Sequence, residues 1–134
     1  MRNINSTHLY NWFEEVWNKG QRNAIANLLT EEFVSHGLGV DGQYNGINGF
    51  LEFYDDFRRQ FANVHVDIEA VLGDEDMESA FCRVTATHIE SGKEVTFSGI
   101  AMAKIKDGKI EQAWNSYDFL TMYQQLGHSL TPPQ

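Results

Sequence analysis

The chain has 134 residues, of which 42% are hydrophobic and 13% aromatic, so it can form one compact domain with a substantial core. Its 19 acidic and 10 basic residues give a net charge of −9, which argues against nucleic-acid binding and against anionic membrane surfaces. The single cysteine, Cys82, excludes an intramolecular disulfide and a cysteine-rich metal site. The N-terminal residues are polar and no apolar stretch reaches membrane-spanning length, so we expect a cytoplasmic protein.

Helices are predicted first along the chain, and strands afterwards. Apolar residues at helical spacing predict one helix that begins after Ser6 or Thr7, a second over 23–29, and a third that ends near Phe61. From Val64 onwards the apolar residues alternate with polar ones, which is the period of a half-buried strand. Four antiparallel strands joined by turns are therefore expected in the second half.

This order of elements indicates the fold class. Helices that are segregated from a meander of strands are typical of an α+β domain, with the helices packed into the concave side of one sheet. Long strands curl, so a half-open cone is expected. No proline-rich or glycine-rich linker divides the chain, and we expect a single domain over 1–134 with about 128–134 as a frayed tail.

The most informative segment is a predicted β-hairpin near the C-terminus. Asp107 and Gly108 are a strong turn signal, because both residues tolerate the positive φ that a two-residue turn needs. Counting outward from this turn places Asp118 opposite Phe97. Since side chains alternate along a strand, the core face is expected to carry Phe97, Gly99, Ala101, Ala103, Ile105, Ile110, Gln112, Trp114, Ser116 and Asp118.

Asp118 is the first candidate for chemistry. An ionised carboxylate is costly on an apolar face, so walls formed by Phe97 and Trp114 would raise the pKa of Asp118 towards the range that a general base needs. The alternative is that Asp118 caps a helix that begins near Phe119, which is a common use of Asp where a strand leads into a helix. The sequence leaves both interpretations open.

Two histidines are further catalytic candidates. His36 ends a short apolar segment, and His88 points inward if the apolar residues of its strand face the core. A neutral imidazole could hydrogen-bond Asp118 or polarise a substrate carbonyl, whereas many isolated histidines on apolar faces are satisfied core residues. Nothing in the spacing of these three residues indicates a metal, and we expect no cofactor.

Further contacts with a ligand are expected from the same face and from the helices. Trp114 lies beside two small residues, Gly99 and Ala101, so the space above it is either a pocket floor or is filled by aromatic residues of the third helix. In the first case the expected substrate-binding residues are Trp17, Phe50, Tyr54, Phe97, Gln112, Trp114 and Ser116.

Several short motifs follow one another along the chain. They are WNKG from Trp17, LLTEEFVSH from Leu28, GF at Gly49, TH at Thr87, DGKI from Asp107, Trp114 with Asp118, and QQLG from Gln124. In this order and spacing they resemble the SnoaL-like polyketide cyclase family of the NTF2-like superfamily. The resemblance implies an NTF2-like cone-shaped half-barrel, in which three N-terminal helices pack on a curved antiparallel sheet and enclose a pocket.

The resemblance also implies an activity. In the family, an Asp at the position of Asp118 acts as general acid/base in an intramolecular aldol condensation without a cofactor. The chain departs from the family pattern between His88 and Glu94, where a longer insertion is common and only 89–93 remains. The leading hypothesis is cofactor-independent acid/base chemistry, an aldol-type cyclisation or isomerisation, on a hydrophobic carbonyl compound in an apolar pocket.

Three alternatives use the same scaffold: a non-catalytic domain that binds a small ligand, a hydrolase, and a structural dimerisation module. The predicted register leaves an apolar patch on the outer hairpin face, formed by Ile100, Met102, Ala113 and Tyr117. Such a patch usually meets another surface, so a back-to-back homodimer is expected through the outer sheet face, as the resemblance also suggests. The other expected partner is a small hydrophobic molecule.

Overall fold

The computed structural model describes residues 3–38 and 43–132. A short 3₁₀ turn precedes the first helix. The helices and strands are, in chain order, α1 (His8–Trp12) with a π-helical continuation (Phe13–Asn18), α2 (Ala24–Leu28), β1 (Leu29–His36), β2 (Gln43–Asn45), α3 (Gly46–Gln60), β3 (Phe61–Asp74), β4 (Met77–His88), β5 (Glu94–Lys106), β6 (Lys109–Tyr117) and α4 (Phe119–Gln125). Residues 39–42 and the last two residues of the predicted tail lie outside the described residues.

In the described residues, the sheet has six strands in the order β2-β1-β6-β5-β4-β3. Strands β3 to β6 form the predicted antiparallel meander. Strand β1 pairs parallel with β6 and antiparallel with β2, where the sequence indicated only a short apolar segment that ends at His36. The α+β class is confirmed, with the N-terminal helices packed on one face of a curved, mostly antiparallel sheet.

The first helix begins and ends where its sequence predicts. The Thr7 hydroxyl accepts a hydrogen bond from the backbone N–H of Tyr10 at 3.0 Å, which satisfies a group that the helix itself leaves unpaired. The helical segment stops before Gly20, whose φ of +67° lies in the left-handed region that glycine adopts without strain. The helix and its continuation bury Leu9 and Trp17 against the sheet.

A buried carboxylate on β4 fixes the start of the same helix. Glu78 is only 2% exposed, and it accepts hydrogen bonds from the backbone N–H groups of His8 at 3.1 Å and Leu9 at 3.0 Å. The Nδ1 atom of His8 lies 2.8 Å from the same carboxylate. Burial alone would raise the pKa of Glu78, but these hydrogen bonds together outweigh burial and hold the pKa below its usual value.

The predicted hairpin turn is confirmed. Asp107 and Gly108 have φ values of +52° and +79°, as the turn requires. Ile105 pairs with Ile110, which agrees with counting outward from the turn. The predicted register therefore holds for the first residues on either side.

A β-bulge changes the register one step further along. Lys104 pairs with Gln112 rather than with Glu111, so β6 carries one extra residue at this point. The Glu111 carboxylate lies on the outer face, where its oxygens are 3.7 Å from the Nζ atoms of both Lys104 and Lys106. Every later residue of β6 is shifted by one relative to the prediction.

This shift exchanges the two faces of β6. Ala101 pairs with Asn115 instead of Trp114, and Gly99 pairs with Tyr117. Because side chains alternate along a strand, a shift of one residue turns each of them over. The inner face of β6 carries Ala113, Asn115 and Tyr117, and the outer face carries Gln112, Trp114 and Ser116.

Candidate functional site

A cavity lies between the helices and the inner face of the sheet. The cavity, together with its open mouth, has a volume of about 700 Å³ that is free of protein atoms. Its wall is mainly aromatic and aliphatic, with contributions from Leu9, Trp12, Trp17, Phe33, Phe50 and Phe97. Clefts of this size and character are typical small-molecule sites.

Few polar groups interrupt this wall. Apart from the tryptophan indoles, the polar side chains that line the cavity in the described part of the chain are Ser35, Asn115 and Tyr117. No carboxylate, imidazole or basic side chain is among the described lining residues. Tyr117 is consequently the one ionisable side chain found there.

Tyr117 reaches across the sheet because its neighbour on β5 has no side chain. Cys82, Gly99 and Tyr117 pair in one row across β4, β5 and β6. A Cβ atom on Gly99 would lie only 2.3 Å from Cδ1 of Tyr117, so the ring occupies the space that a side chain would fill. The ring packs edge-to-face on Phe97, with ring centroids 6.4 Å apart, and its hydroxyl lies beside the Cys82 thiol.

The environment of Tyr117 keeps its phenol neutral. Burial raises the pKa of Tyr117 well above its ordinary value, and the neighbouring Cys82 raises it further. Burial also raises the pKa of the Cys82 thiol to about 12. At neutral pH this part of the wall therefore offers a protonated phenol, which can donate a hydrogen bond.

The other polar lining residues form a second cluster, on β1 and β6. The Nδ2 group of Asn115 donates to the Oγ atom of Ser35 at 3.1 Å and to the backbone carbonyl of His36 at 2.8 Å. Both acceptors belong to β1, so Asn115 bridges the parallel pair of β1 and β6. Ser35 is completely buried.

Three of the predicted contact residues do line the cavity. Trp17 comes from the π-helical segment, Phe50 from α3 and Phe97 from β5. Their contact with a ligand stays a prediction. Tyr54, another aromatic candidate, is buried outside the described lining, and its hydroxyl donates to the backbone carbonyl of Val16 at 3.0 Å.

The predicted inward positions of three further residues, Gln112, Trp114 and Ser116, are wrong because of the bulge. They lie on the outer face of the sheet, and His36 of β1 lies on the same face instead of in the pocket. The His36 ring stacks on Trp114 with ring centroids 5.7 Å apart, and its Nε2 atom lies 3.1 Å from Oε1 of Gln112. The pocket floor is formed instead by the residues that alternate with them.

The predicted inward position of Asp118 is also wrong. Its side chain is exposed and caps α4, accepting hydrogen bonds from the backbone N–H of Thr121 at 3.0 Å and from the Thr121 hydroxyl at 2.6 Å. These hydrogen bonds lower the pKa of Asp118, which is the opposite of what a general base at neutral pH needs. The capping alternative describes the geometry, and the catalytic role loses its structural basis.

His88 lies at the turn between β4 and β5, outside the described cavity lining. Its Nδ1 atom is 2.8 Å from the Ser91 hydroxyl, and its ring packs near Phe61 with centroids 5.3 Å apart. These contacts are those of a satisfied structural histidine. The structure does not bring His88 together with His36 or Asp118 in one site.

The outer apolar patch differs in composition from the prediction. Ala113 and Tyr117 face the cavity, whereas Phe81, Ile100 and Met102 are 38%, 49% and 37% exposed on the outer face. Cross-strand pairing places Phe81 beside Ile100 and Met102 beside Trp114, so these residues form a continuous outer patch. A homodimer through this face stays a prediction.

Asn115 and Tyr117 were missed because the predicted register of β6 places them on the outer face of the hairpin. Gly99 held a usable signal, since a glycine in mid-strand often marks a close approach by a large side chain.

None of the helices in the described residues has both the length and the hydrophobicity that a membrane-spanning helix needs. Over 3–38 and 43–132, no three His, Cys, Asp or Glu side chains are grouped so that they could hold a metal ion.

Comparisons with known proteins agree with this architecture. The chain is 23% identical to a candidate polyketide cyclase from Acidithiobacillus ferrooxidans, with a TM-score of 0.82 over 95% of this chain and 96% of the other. A Catenulispora acidiphila protein with a ketosteroid isomerase-like fold is 16% identical, with a TM-score of 0.80 over 95% of this chain and 98% of the other. These two similarities establish the fold, which is the ketosteroid isomerase-like, or NTF2-like, fold.

Two further matches establish the family. A candidate polyketide cyclase from Bacillus cereus is 32% identical, with a TM-score of 0.78 over 90% of this chain and 78% of the other. No curated protein sequence matches the chain. The family model for SnoaL-like polyketide cyclases matches residues 7–126, which is most of the chain. The chain therefore belongs to the SnoaL-like polyketide cyclase family.

Proposed function

We propose that this protein binds a hydrophobic carbonyl compound in the cavity and promotes cofactor-independent chemistry on it, either an aldol-type cyclisation or an isomerisation. The observation that carries the proposal is Tyr117, a neutral phenol in the wall of an otherwise apolar cavity. Membership of the SnoaL-like family and the likeness to a candidate polyketide cyclase from Bacillus cereus support this substrate class.

Tyr117 has the role of a hydrogen-bond donor to the carbonyl oxygen. Its neighbour, the Cys82 thiol, is a weak hydrogen-bonding group, so the phenol can donate to a carbonyl oxygen at little cost. The oxygen gains negative charge as an enolate or an aldol transition state forms. A donor fixed at this oxygen in a dry site stabilises that charge more than it stabilises the neutral ketone, which is the requirement for catalysis.

The proton balance of the enolisation step is simple. The C–H bond next to the carbonyl breaks, its electron pair forms the C=C bond, and the carbonyl π pair moves to the oxygen held by Tyr117. Because the described lining residues include no base, we assign the departing proton to a water molecule at the cavity mouth. Trp17, Phe50 and Phe97 hold the substrate compactly, which raises the effective concentration of its reacting carbons.

A ligand-binding protein without catalysis is the second candidate. The lack of a carboxylate or an imidazole among the described lining residues favours it, because binding needs only apolar walls and a few orienting polar groups. The same cavity and the same role for Tyr117 as a hydrogen-bond donor apply in both cases. The two candidates differ in whether the bound carbonyl compound reacts.

Hydrogen exchange next to a carbonyl distinguishes these candidates. The probe is para-acetylbiphenyl in heavy water, and proton NMR follows the loss of the acetyl methyl signal. We expect the wild-type protein to accelerate the exchange and Tyr117→Phe to reduce this acceleration about 100-fold, as when an oxyanion donor is removed. The affinity of the variant for the probe should fall only about 3- to 10-fold, as for a single neutral hydrogen bond.

Tyr123→Phe is the matched control, because Tyr123 is an exposed phenol on α4. This variant should behave like the wild-type protein in both measurements. Binding of the probe without any acceleration of exchange would favour the second candidate. If the wild-type protein does not bind the probe at all, both candidates fail.

A further inference from the structure

We infer that the cavity selects a ligand with an oxygen at each of two ends: a carbonyl group at Tyr117 and a hydroxyl group at the pair formed by Ser35 and Asn115. This inference rests on the proposed function and adds to it the second polar contact. It assigns Ser35 and Asn115 to ligand selection, in addition to their part in joining β1 to β6. The physical basis is the hydrogen-bonding capacity that this pair leaves unused.

The orientation of the Asn115 side chain is fixed by its neighbours. A backbone carbonyl can only accept, so the amide nitrogen of Asn115 must face the carbonyl of His36, 2.8 Å away. The same nitrogen donates to Oγ of Ser35 at 3.1 Å. The Oδ1 atom of Asn115 consequently points away from β1, and no described residue is found to donate to it.

Ser35 has a complementary free group. Its oxygen accepts from Asn115, so its own hydrogen must point elsewhere, and none of the described residues is found to accept it. The side chain is completely buried and lines the cavity. The pair therefore presents one donor, the Ser35 hydroxyl, and one acceptor, Oδ1 of Asn115. A hydroxyl group matches both, because it accepts one hydrogen bond and donates another.

The two polar positions lie far apart. The Tyr117 ring extends over Gly99, and its hydroxyl lies near Cys82, two strands away from β6. Asn115 precedes Tyr117 by two residues on β6, and Ser35 lies beyond β6 on β1. Strand spacing of about 4.8 Å and a rise of about 3.3 Å per residue place the phenol oxygen on the order of 10 Å from the Asn115 side chain.

The wall between these two positions is apolar. Phe33 and Phe50 pack edge-to-face with ring centroids 6.1 Å apart, and Ala101 of β5 adds no polar group. A ligand that satisfies both ends must therefore have an apolar body about 10 Å long, such as linked or fused rings. A buried polar pair left unmatched by the ligand costs free energy, so the pair discriminates against ligands without the distal hydroxyl.

Two probes and one substitution test this inference. The probes are para-acetylbiphenyl and its analogue with a hydroxyl group at the far end of the second ring. Calorimetric titration should give the wild-type protein a higher affinity for the hydroxylated probe, by about 5- to 20-fold, and Ser35→Ala should remove most of this difference. The affinity for the probe without the hydroxyl should change less than about 2-fold.

Ser116→Ala is the matched control, because Ser116 is an exposed serine on the outer face of β6. Ser35→Cys, which keeps the side-chain size but hydrogen-bonds weakly, serves as a second variant, and the melting temperature verifies that each variant is folded. Equal affinity of the wild-type protein for both probes, or an equal change for both in folded Ser35 variants, would overturn this inference alone. Failure of the wild-type protein to bind either probe would overturn the proposed function as well.

Discussion

The inner and outer faces of β6 are made from neighbouring residues but have different roles. Asn115 and Tyr117 face the cavity and bring polar groups into an apolar wall, whereas Trp114 and Ser116 lie outside. The cause is one extra residue, Glu111, next to the hairpin turn. The position of a functional side chain in a half-buried sheet thus depends on register as much as on residue type.

The largest loss of stability is expected at Gly99, where the inner face of the sheet is most crowded. Gly99→Ala places a Cβ atom 2.3 Å from Cδ1 of Tyr117 and 2.7 Å from the backbone oxygen of Ser116, so the backbone must move. We expect a loss of about 2–3 kcal/mol in the free energy of unfolding, measured by urea denaturation, together with weaker probe binding.

Gly49→Ala is the contrasting substitution. A Cβ atom there would meet its nearest neighbour at 3.5 Å, which is an ordinary contact, and Gly49 lies inside α3. This variant should gain up to about 1 kcal/mol from the higher helix propensity of alanine. If Gly99→Ala is as stable as the wild-type protein, the described packing of Tyr117 is incorrect.

A smaller loss of stability is expected on substitution of Glu78, the buried carboxylate of the inner face. Glu78→Gln weakens the hydrogen bonds to the start of α1, and we expect a loss of about 1–3 kcal/mol in unfolding free energy at pH 7. Since the pKa of Glu78 is lowered in the folded state, its contribution is present above the unfolded pKa of about 4.3 and is lost as the pH falls through the folded pKa.

The dependence of protein stability on pH provides a control for this prediction. The difference in stability between the wild-type protein and Glu78→Gln should be constant near neutral pH and should shrink below about pH 4. Glu90→Gln, at an exposed position in the turn between β4 and β5, should leave the curve of stability against pH almost unchanged. A stability difference that does not depend on pH would contradict the role of the Glu78 charge.

Substitutions on the outer face should have little effect on the cavity. Asp118→Asn keeps an oxygen that accepts from the N–H of Thr121, and His36→Ala removes a ring that stacks outside on Trp114. We expect both variants to bind para-acetylbiphenyl within about 2-fold of the wild-type affinity and to accelerate exchange equally, because neither residue lines the described cavity. A loss of acceleration in Asp118→Asn would restore the carboxylate to the mechanism.

Substitutions in the outer patch are expected to change self-association and to have the smallest effect on ligand binding in the cavity. Met102→Glu adds a charge beside Ile100 and Phe81, and we expect it to dissociate the predicted homodimer, as measured by light scattering after size-exclusion chromatography. Ile89→Glu, at an exposed apolar residue in the β4–β5 turn, is the control and should leave the oligomeric state unchanged. A monomeric wild-type protein would refute the dimer.

The sequence was sufficient for the fold because hydrophobic periodicity and turn chemistry act locally. The alternation after Val64 and the turn at Asp107 each predicted a structure that is present. The parallel pairing of β1 was missed, since it depends on contacts with β6 far along the chain. Parallel partners are not set by any short turn.

The site was only partly predictable for a different reason. On β6, the series that contains Trp114 and the series that contains Tyr117 both mix one large aromatic residue with polar and small ones, so alternation alone does not select the inner series. The bulge at Glu111 has no strong signature, because Glu111 does not have the positive φ that would favour a glycine at a bulge. Aromatic walls such as Phe50 and Phe97 were predictable, as both lie on clear apolar stripes.

The central claim is that the inner face holds the carbonyl group and that Tyr117 is its hydrogen-bond donor. The carbon-13 NMR shift of the carbonyl carbon in labelled para-acetylbiphenyl tests this claim directly, because hydrogen bonding moves that signal downfield. We predict a downfield shift on binding to the wild-type protein and to Asp118→Asn, and its loss on binding to Tyr117→Phe. A shift that persists in Tyr117→Phe and disappears in Asp118→Asn would contradict this account.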